Sequence, residues 1–364
     1  MIATADLREL AGFTAVKAPV LSLYLDTDLS RNQKDQVKLT LRDLLERARG
    51  ADAPTDDLQR IARYVDLEYD WQGKGLIIFS CLADGLWQPF PVPVRVRSEI
   101  YVGDKAYLIP FSNLLDQYAP YSVALVGREG ARLFLIDMGG IVREEDTVGE
   151  PIKHHKQGGW SAPRFQRHTE KHADANLRAA AEATSRFCDA AGCSRLILAG
   201  TGENMARFRE FLPSPLRQAV VGTMSLDANA PGSAVVERSR EILSDLEEQR
   251  ELGLVDRLIT LHHANGPAAI GLADTLFVLQ EGRVLTLLVE DGLAAPGIVC
   301  PDCDYLTVNE AERCLFCGTA NARPVRNIVE RAVHKAFQQG ARVEVVRSGT
   351  ALGTVGQIGA LLRY

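Results

Sequence analysis

At 364 residues the chain outgrows a single hydrophobic core, and two or three domains are expected. Its 46% hydrophobic and 24% charged residues are those of ordinary globular proteins, and a net charge of −6 argues against a uniformly basic nucleic-acid coat while leaving room for a local basic tip. No apolar run approaches the roughly 18 residues of a membrane span, and the opening MIATADLREL lacks the basic and apolar regions of a secretory signal, so a cytoplasmic protein with no membrane partner is expected.

Val20 to Leu25 reads as a strand, ends in Asp-Thr-Asp and leads to a helix from about Asn32 to Arg49, with Val37, Leu39, Leu41, Leu44 and Leu45 as its apolar stripe. Thr55 and Asp56 are good cap residues for a second helix. Gly75 to Cys81 and Trp87 to Val96 follow as strands, the latter broken by prolines and therefore expected at a sheet edge. Residues 1–117 form an α+β domain on this reading.

In residues 118–232, Ser122 to Val126 and Ala131 to Asp137 form a hairpin turning at Arg128, Glu129 and Gly130. A polar loop, a long helix through about Cys188, a buried strand Leu196 to Ala199 and a helix ending before Pro213 complete this segment, which predicts an α/β domain with a mostly parallel sheet. Residues 233–364 open at the Pro231-Gly232-Ser233 break with a charged helix capped by Ser233 and reaching about Leu261. Apolar runs from Thr275 to Leu279 and Val284 to Val289 then bracket Gln280 to Arg283, ahead of a cysteine-rich insertion. The fold class is α/β multidomain.

Four of the seven cysteines form that insertion, at about residues 298–320. Cys300, Cys303, Cys314 and Cys317 make two CxxC pairs with ten residues between them. Each pair presents two thiolates from one knuckle, and the spacing allows the knuckles to meet around one tetrahedral Zn²⁺ per chain. Four thiolates leave no open coordination position, so the site is expected to be structural; an iron–sulfur cluster and a decayed site are the alternatives. Cys81, Cys188 and Cys193 lie in or beside apolar segments and read as reduced core residues.

The cationic loop is KHHKQGGWSAPRFQRHTEKH, residues 153–172. Gly158 and Gly159 let the main chain approach a ligand closely. Lys153, Lys156, Arg164, Arg167 and Lys171 supply phosphate contacts, His154, His155, His168 and His172 add charge at lower pH, and only Glu170 opposes them. Two glycines in a cationic loop also occur in many proteins without this role.

The segment resembles the tip of the middle domain of archaeal and eukaryotic class I peptide-release factors, in which a Gly-Gly-Gln loop precedes Ser and a run of the form RFxRxR. Gly158, Gly159, Ser161, Arg164, Phe165 and Arg167 match, while Trp160 replaces the Gln. The resemblance to the release-factor and Pelota superfamily extends over CSRLILAGTGE (193–203), EILSDLEEQRELGLVDRL (241–258), GLADTLFVLQEGRVLTLLV (271–289) and GQIGALLRY (356–364), and the acidic, divergent form is similar to a bacterial branch of it. It implies three domains in a tRNA-mimicking arrangement, with a zinc ribbon inserted in the C-terminal domain as in archaeal members.

It also implies a ribosomal partner. Gly158, Gly159, Trp160 and Ser161 would enter the peptidyl-transferase centre near the P-site tRNA acceptor end, and Arg31, Asn32, Lys34 and Lys38 would approach the decoding region of the A site. The family's Asn-Ile-Lys-Ser stop-codon loop is matched only at Asn32 and Lys34, with Asp35 adding a negative charge, and residues 32–35 read equally as a polar helix start. In release factors the loop Gln helps to position the attacking water. An indole is bulkier and offers no acceptor, and it can stack on a base or pack back onto its own domain.

The expectation is a non-catalytic A-site factor of ribosome hibernation or the stalled-ribosome response; the alternative is an active release or rescue factor that hydrolyses peptidyl-tRNA. A nuclease is disfavoured because no carboxylate cluster for Mg²⁺ is evident. Glu237 to Glu251 could recruit a translational GTPase or be solvated surface.

Overall fold

The computed structural model describes residues 4–148, 162–309 and 313–364. The chain starts with helix α1 (Thr4–Gly12), then β1 (Val20–Asp26), α2 (Lys34–Arg49), α3 (Thr55–Arg63), β2 (Gly75–Cys81), β3 (Leu86–Val92), β4 (Glu99–Gly103) and α4 (Ile109–Gln117). The four strands form an antiparallel sheet in the order β3-β2-β1-β4, so the proline-bearing strand lies at an edge.

Alternation along β1 explains both of its faces. Leu21, Leu23 and Leu25 pack with Leu76 and Ile78 against Val37, Leu41, Leu44 and Leu45 of α2 and Leu58 and Ile61 of α3. Ser22 and Tyr24 hold the segment after β4, the Ser22 hydroxyl accepting from the Tyr107 amide at 2.9 Å and Tyr24 donating to the Tyr107 carbonyl at 2.5 Å.

Three local expectations differ from the structure. Leu39 is 57% exposed, because two residues after Val37 the helix has turned to its opposite face. Helix α2 begins at Lys34 with a Gln33–Gln36 capping box, and α3 is capped at Pro54, which leaves Thr55 and Asp56 inside its first turn. Strand β4 had no clear apolar alternation to announce it; its burial pattern is intermediate throughout.

The next elements are β5 (Tyr121–Val126), β6 (Gly130–Asp137), β7 (Gly140–Val148), α5 (Ala162–Ala191), β8 (Leu196–Gly200), α6 (Gly202–Phe211), α7 (Ser214–Gln218), β9 (Val220–Ser225) and α8 (Gly232–His263). The sheet order is β7-β6-β5-β8-β9. It is mixed, whereas the sequence suggested a mostly parallel sheet. Strands β5, β6 and β7 form an antiparallel meander, while β5 with β8 and β8 with β9 are parallel pairs, β8 and β9 each being reached through helices. Leu177, Ala181, Phe187 and Cys188 of α5 cover one face, and Val235, Ile242 and Leu243 of α8 cover the other.

Past α8 come β10 (Ala268–Ile270), α9 (Leu272–Gln280), β11 (Val284–Glu290), β12 (Gly297–Val299), β13 (Leu306–Thr307), β14 (Arg323–Val325), α10 (Ile328–Gln338), β15 (Arg342–Val346), α11 (Ala351–Thr354) and β16 (Ile358–Leu362). The first apolar run after the charged helix is thus helical. The terminal GQIGALLRY supplies β16, an inner strand of the sheet β10-β16-β11-β15. A Cβ on Gly359 would lie 2.6 Å from Leu258 Cδ2 and 2.9 Å from the Ala269 carbonyl, so this position requires glycine. A small sheet, β13-β12-β14, carries the cysteine insertion.

The chain divides into two compact units, residues 1–117 with 248–364 and residues 118–247. Within the first unit, α10 packs on α1 and its buried His334 bridges segments far apart in sequence. The ring Nε2 lies 2.6 Å from the Ala106 carbonyl and Nδ1 lies 3.4 Å from that of Ala11. Burial pushes this imidazole down to about 4, so it is neutral at physiological pH. No helix of the described residues is long and apolar enough to cross a membrane.

Candidate functional site

Two short hydrogen-bonded knuckles bring the cysteines together. Strand β12 runs into Cys300, whose amide donates to the Tyr305 carbonyl at 2.9 Å, while the Asp304 amide returns to the Cys300 carbonyl at 2.8 Å. The second knuckle repeats the pattern: Cys314 donates to Thr319 at 2.7 Å and Gly318 to Cys314 at 2.9 Å. Both turns need a left-handed residue, Asp304 at φ 54° and Gly318 at φ 76°.

The four sulfurs lie within 4.8 Å of one another, with Cys300 and Cys317 Sγ 3.6 Å apart and Cys303 and Cys314 Sγ 3.7 Å apart. A tetrahedral ion bound at about 2.3 Å requires sulfurs separated by about 3.8 Å, whereas a disulfide requires about 2.05 Å. The cluster therefore fits a metal ion. Burial opposes the Cys314 thiolate, but amide donation from Cys317 and Phe316 overrides it and pulls the thiol down to about 7. Burial, together with the Cys317 thiol, pushes Cys303 up to about 12. Such a set charges readily only when a cation shares the electrons.

Lys335 of α10 anchors the first knuckle by donating to the Asp304 carbonyl at 2.5 Å, and Asn321 ties the two knuckles by donating to Asp302 at 3.0 Å. Neither contact was evident from sequence, because both partners lie outside the CxxC spacing. Leu315 and Phe316 are each 63% exposed, with Phe316 stacked on Tyr305.

On the decoding side, Asp28 builds the turn after β1. Its carboxylate accepts from the Ser30 amide and hydroxyl, and its carbonyl accepts from the Arg31 and Asn32 amides at 3.2 and 3.1 Å. Arg31 is exposed and Asn32 half-buried. Lys34, in the first turn of α2, places its ammonium 4.5 Å above the Trp71 ring, and Lys38 pairs with Asp66 at 2.5 Å. Trp71 and Asp66 were not singled out in the sequence, since their contacts are made by tertiary folding alone. Trp71 also holds φ 62°, a strained value for a bulky residue.

The middle-segment residues Lys153, Lys156, Gly158, Gly159, Trp160 and Ser161, with His154 and His155, lie outside the described residues. So do the side chains of Arg164, Phe165, Arg167 and His168, although their positions fall in α5. Lys171 is exposed and His172 half-buried on that helix, and from Ala173 onward α5 packs on its sheet. Of the acidic run on α8, Glu248 and Glu251 pair with Arg347 at 3.7 and 3.2 Å.

Residues 107–243, which contain both the β5–β9 sheet and the cationic loop, match the family described as Bacterial archaeo-eukaryotic release factor family 10. Over that span, which is less than half of the chain, the protein is similar to the bacterial branch of the archaeo-eukaryotic release-factor superfamily. The chain is 28% identical over 306 residues to Peptide chain release factor subunit 1 of Methanocaldococcus jannaschii, covering 75% of this chain and 72% of that one. A Mycobacterium tuberculosis protein described as uncharacterized is 27% identical over 368 residues, 96% of this chain and 94% of its own. The crystal structure of an archaeal translation termination factor, aRF1, aligns over 99% of this chain and 97% of its own at 17% identity and a TM-score of 0.27. The cysteine knuckles lie C-terminal to the matched span.

Proposed function

We propose that this protein binds the ribosomal A site as a release-factor-like factor of hibernation or of the stalled-ribosome response, and that it does not hydrolyse peptidyl-tRNA. The observation that carries the reading is Trp160, which stands in the family-matched span directly after Gly158-Gly159 and before Ser161. An indole gives one N–H donor and no acceptor, so it cannot orient a water as a carboxamide does. It can stack on an exposed base of the peptidyl-transferase centre or the tRNA acceptor end, worth about 1–3 kcal/mol. Lys153, Lys156, Arg164, Arg167 and Lys171 would meet ribosomal RNA phosphates there.

On the decoding side the contacts would come from Arg31 and Asn32, with Lys34 presented over Trp71; Lys38 would first have to leave Asp66. The metal is Zn²⁺ in this reading, held by Cys300, Cys303, Cys314 and Cys317 and purely structural. The three sequence segments 1–117, 118–232 and 233–364 act as the three arms of a tRNA mimic in the cytoplasm, and a translational GTPase is a candidate delivery partner.

Sedimentation of extracts from starved cells tests the reading. The protein is expected to travel with ribosomal particles, and its absence from every ribosomal fraction would end the proposal. The retained Gly-Gly pair and the backbone N–H at position 160 favour a second reading, an active peptide-release factor. Release of labelled peptide from programmed ribosomes separates the two: robust release that Gly159→Ala abolishes would replace the first reading with the second.

A further inference from the structure

A cavity of about 450 Å³ opens within the first unit, between the turn after β4, one side of α10 and the base of the cysteine ribbon. Lys105, Arg323, Arg331 and Lys335 line it against two carboxylates, Asp104 and Asp304, which leaves an excess of two positive charges. Both carboxylates are engaged already. Asp104 pairs with Arg331, and Asp304 lies 3.8 Å from Lys335.

Lys105 is buried, and its ammonium meets only the Thr14 hydroxyl at 3.0 Å and the Phe13 carbonyl at 3.4 Å. Among the described residues neither Lys105 nor Arg323 has a carboxylate within ion-pair distance. Burying an ammonium with only neutral oxygens in hydrogen-bond contact is unfavourable, and burial pulls Lys105 below the ordinary lysine range, with the Asp304 carboxylate offsetting only part of the effect. An anion in the cavity would relieve that cost.

The chemistry of the lining narrows the anion. Guanidinium groups offer paired N–H donors matched to phosphate oxygens, and an ammonium adds a compact charge. A phosphate monoester carries a charge of about −1.5 to −2 at neutral pH, which balances the excess. The volume lies within the range of about 300–1,000 Å³ typical of small-molecule sites and exceeds what a halide or a bare phosphate fills. Pro301, Pro324 and Val325 complete the lining with apolar surface suited to an attached organic group.

We infer that this cavity binds an organic phosphate monoester, with the phosphoryl group held by Lys105, Arg323 and Arg331 and the organic group resting on Pro301, Pro324 and Val325. The site is separate from the ribosome reading above, and either can fail without the other.

Isothermal titration of the full, metal-loaded chain with inorganic phosphate tests it. One saturable site per chain is expected, with phenyl phosphate competing and dimethyl phosphate, a monoanionic diester, failing to compete. Lys105→Gln and Arg323→Gln should each weaken phosphate binding by about tenfold or more. Arg323 is exposed, so its variant reports even if the buried Lys105 substitution impairs folding. Absence of saturable binding, binding unchanged by both substitutions, or equal competition by dimethyl phosphate would overturn the inference.

Discussion

Glu330 is an acid held neutral by its surroundings. It lies buried on α10, and one carboxyl oxygen has no hydrogen-bond partner. Burial pushes its pKa from 4.5 up to about 8, only partly offset by a hydrogen bond with Tyr101. The folded protein thus holds this proton more tightly than the unfolded chain. Between pH 4.5 and about 8 unfolding releases the proton, and stability falls as pH rises through that window.

Four residues further on, His334 works in the opposite sense, adding stability as pH rises from about 4 to 6.5. The Glu330 penalty should therefore show most clearly above pH 6.5. Glu330→Gln removes it. Melting curves across this range should show the variant gaining on the wild type by about 1.4 kcal/mol per pH unit within the Glu330 window and levelling off above it. A constant difference at every pH would show that the carboxyl titrates normally.

A second residue-scale expectation concerns Gly359. An added methyl would meet Leu258 and the Ala269 carbonyl, so Gly359→Ala should destabilise the first unit by about 1–3 kcal/mol, read as a lower denaturation midpoint. Neither Glu330 nor this packing constraint was legible in the sequence, where an acid on a helix and a glycine in a strand have bland readings.

Among the elements, the cysteine knuckles were the most legible, because their chemistry is local: four soft ligands at fixed spacing define the site before any tertiary contact is known. Strand β1 and helix α2 were legible for a related reason, their apolar periods being carried by consecutive residues. Strand β7 was not, since its REED run is polar. The structure explains it as an edge strand whose charges pair across to Arg132, which meets Glu144 at 2.7 Å and Asp146 at 3.5 Å. Helix α9 was hidden by an apolar run too short to show a helical period.

The small sheet of the ribbon has only two- and three-residue strands, so in the proposed reading a bound metal supplies much of what holds the knuckles together. Removing metal with a strong chelator should raise hydrogen exchange across residues 297–325 first, and Cys314→Ser should do the same without chelator. Unchanged exchange after verified metal loss would show that the ribbon folds unaided.

At the scale of the whole molecule, the proposed A-site occupancy and its alternative, peptide release, turn on Trp160, which stands where the release-factor loop carries Gln. That makes Trp160 a test of why the molecule would bind without cutting. If the indole excludes the attacking water while Gly158 and Gly159 still admit the main chain, restoring the carboxamide should restore a measurable step. Trp160→Gln is expected to raise peptide release from programmed ribosomes well above wild type and to weaken retention on ribosomes, by about 1–3 kcal/mol if base stacking is lost. Release that stays at the wild-type level with unchanged retention would mean that the indole neither stacks on RNA nor blocks the water.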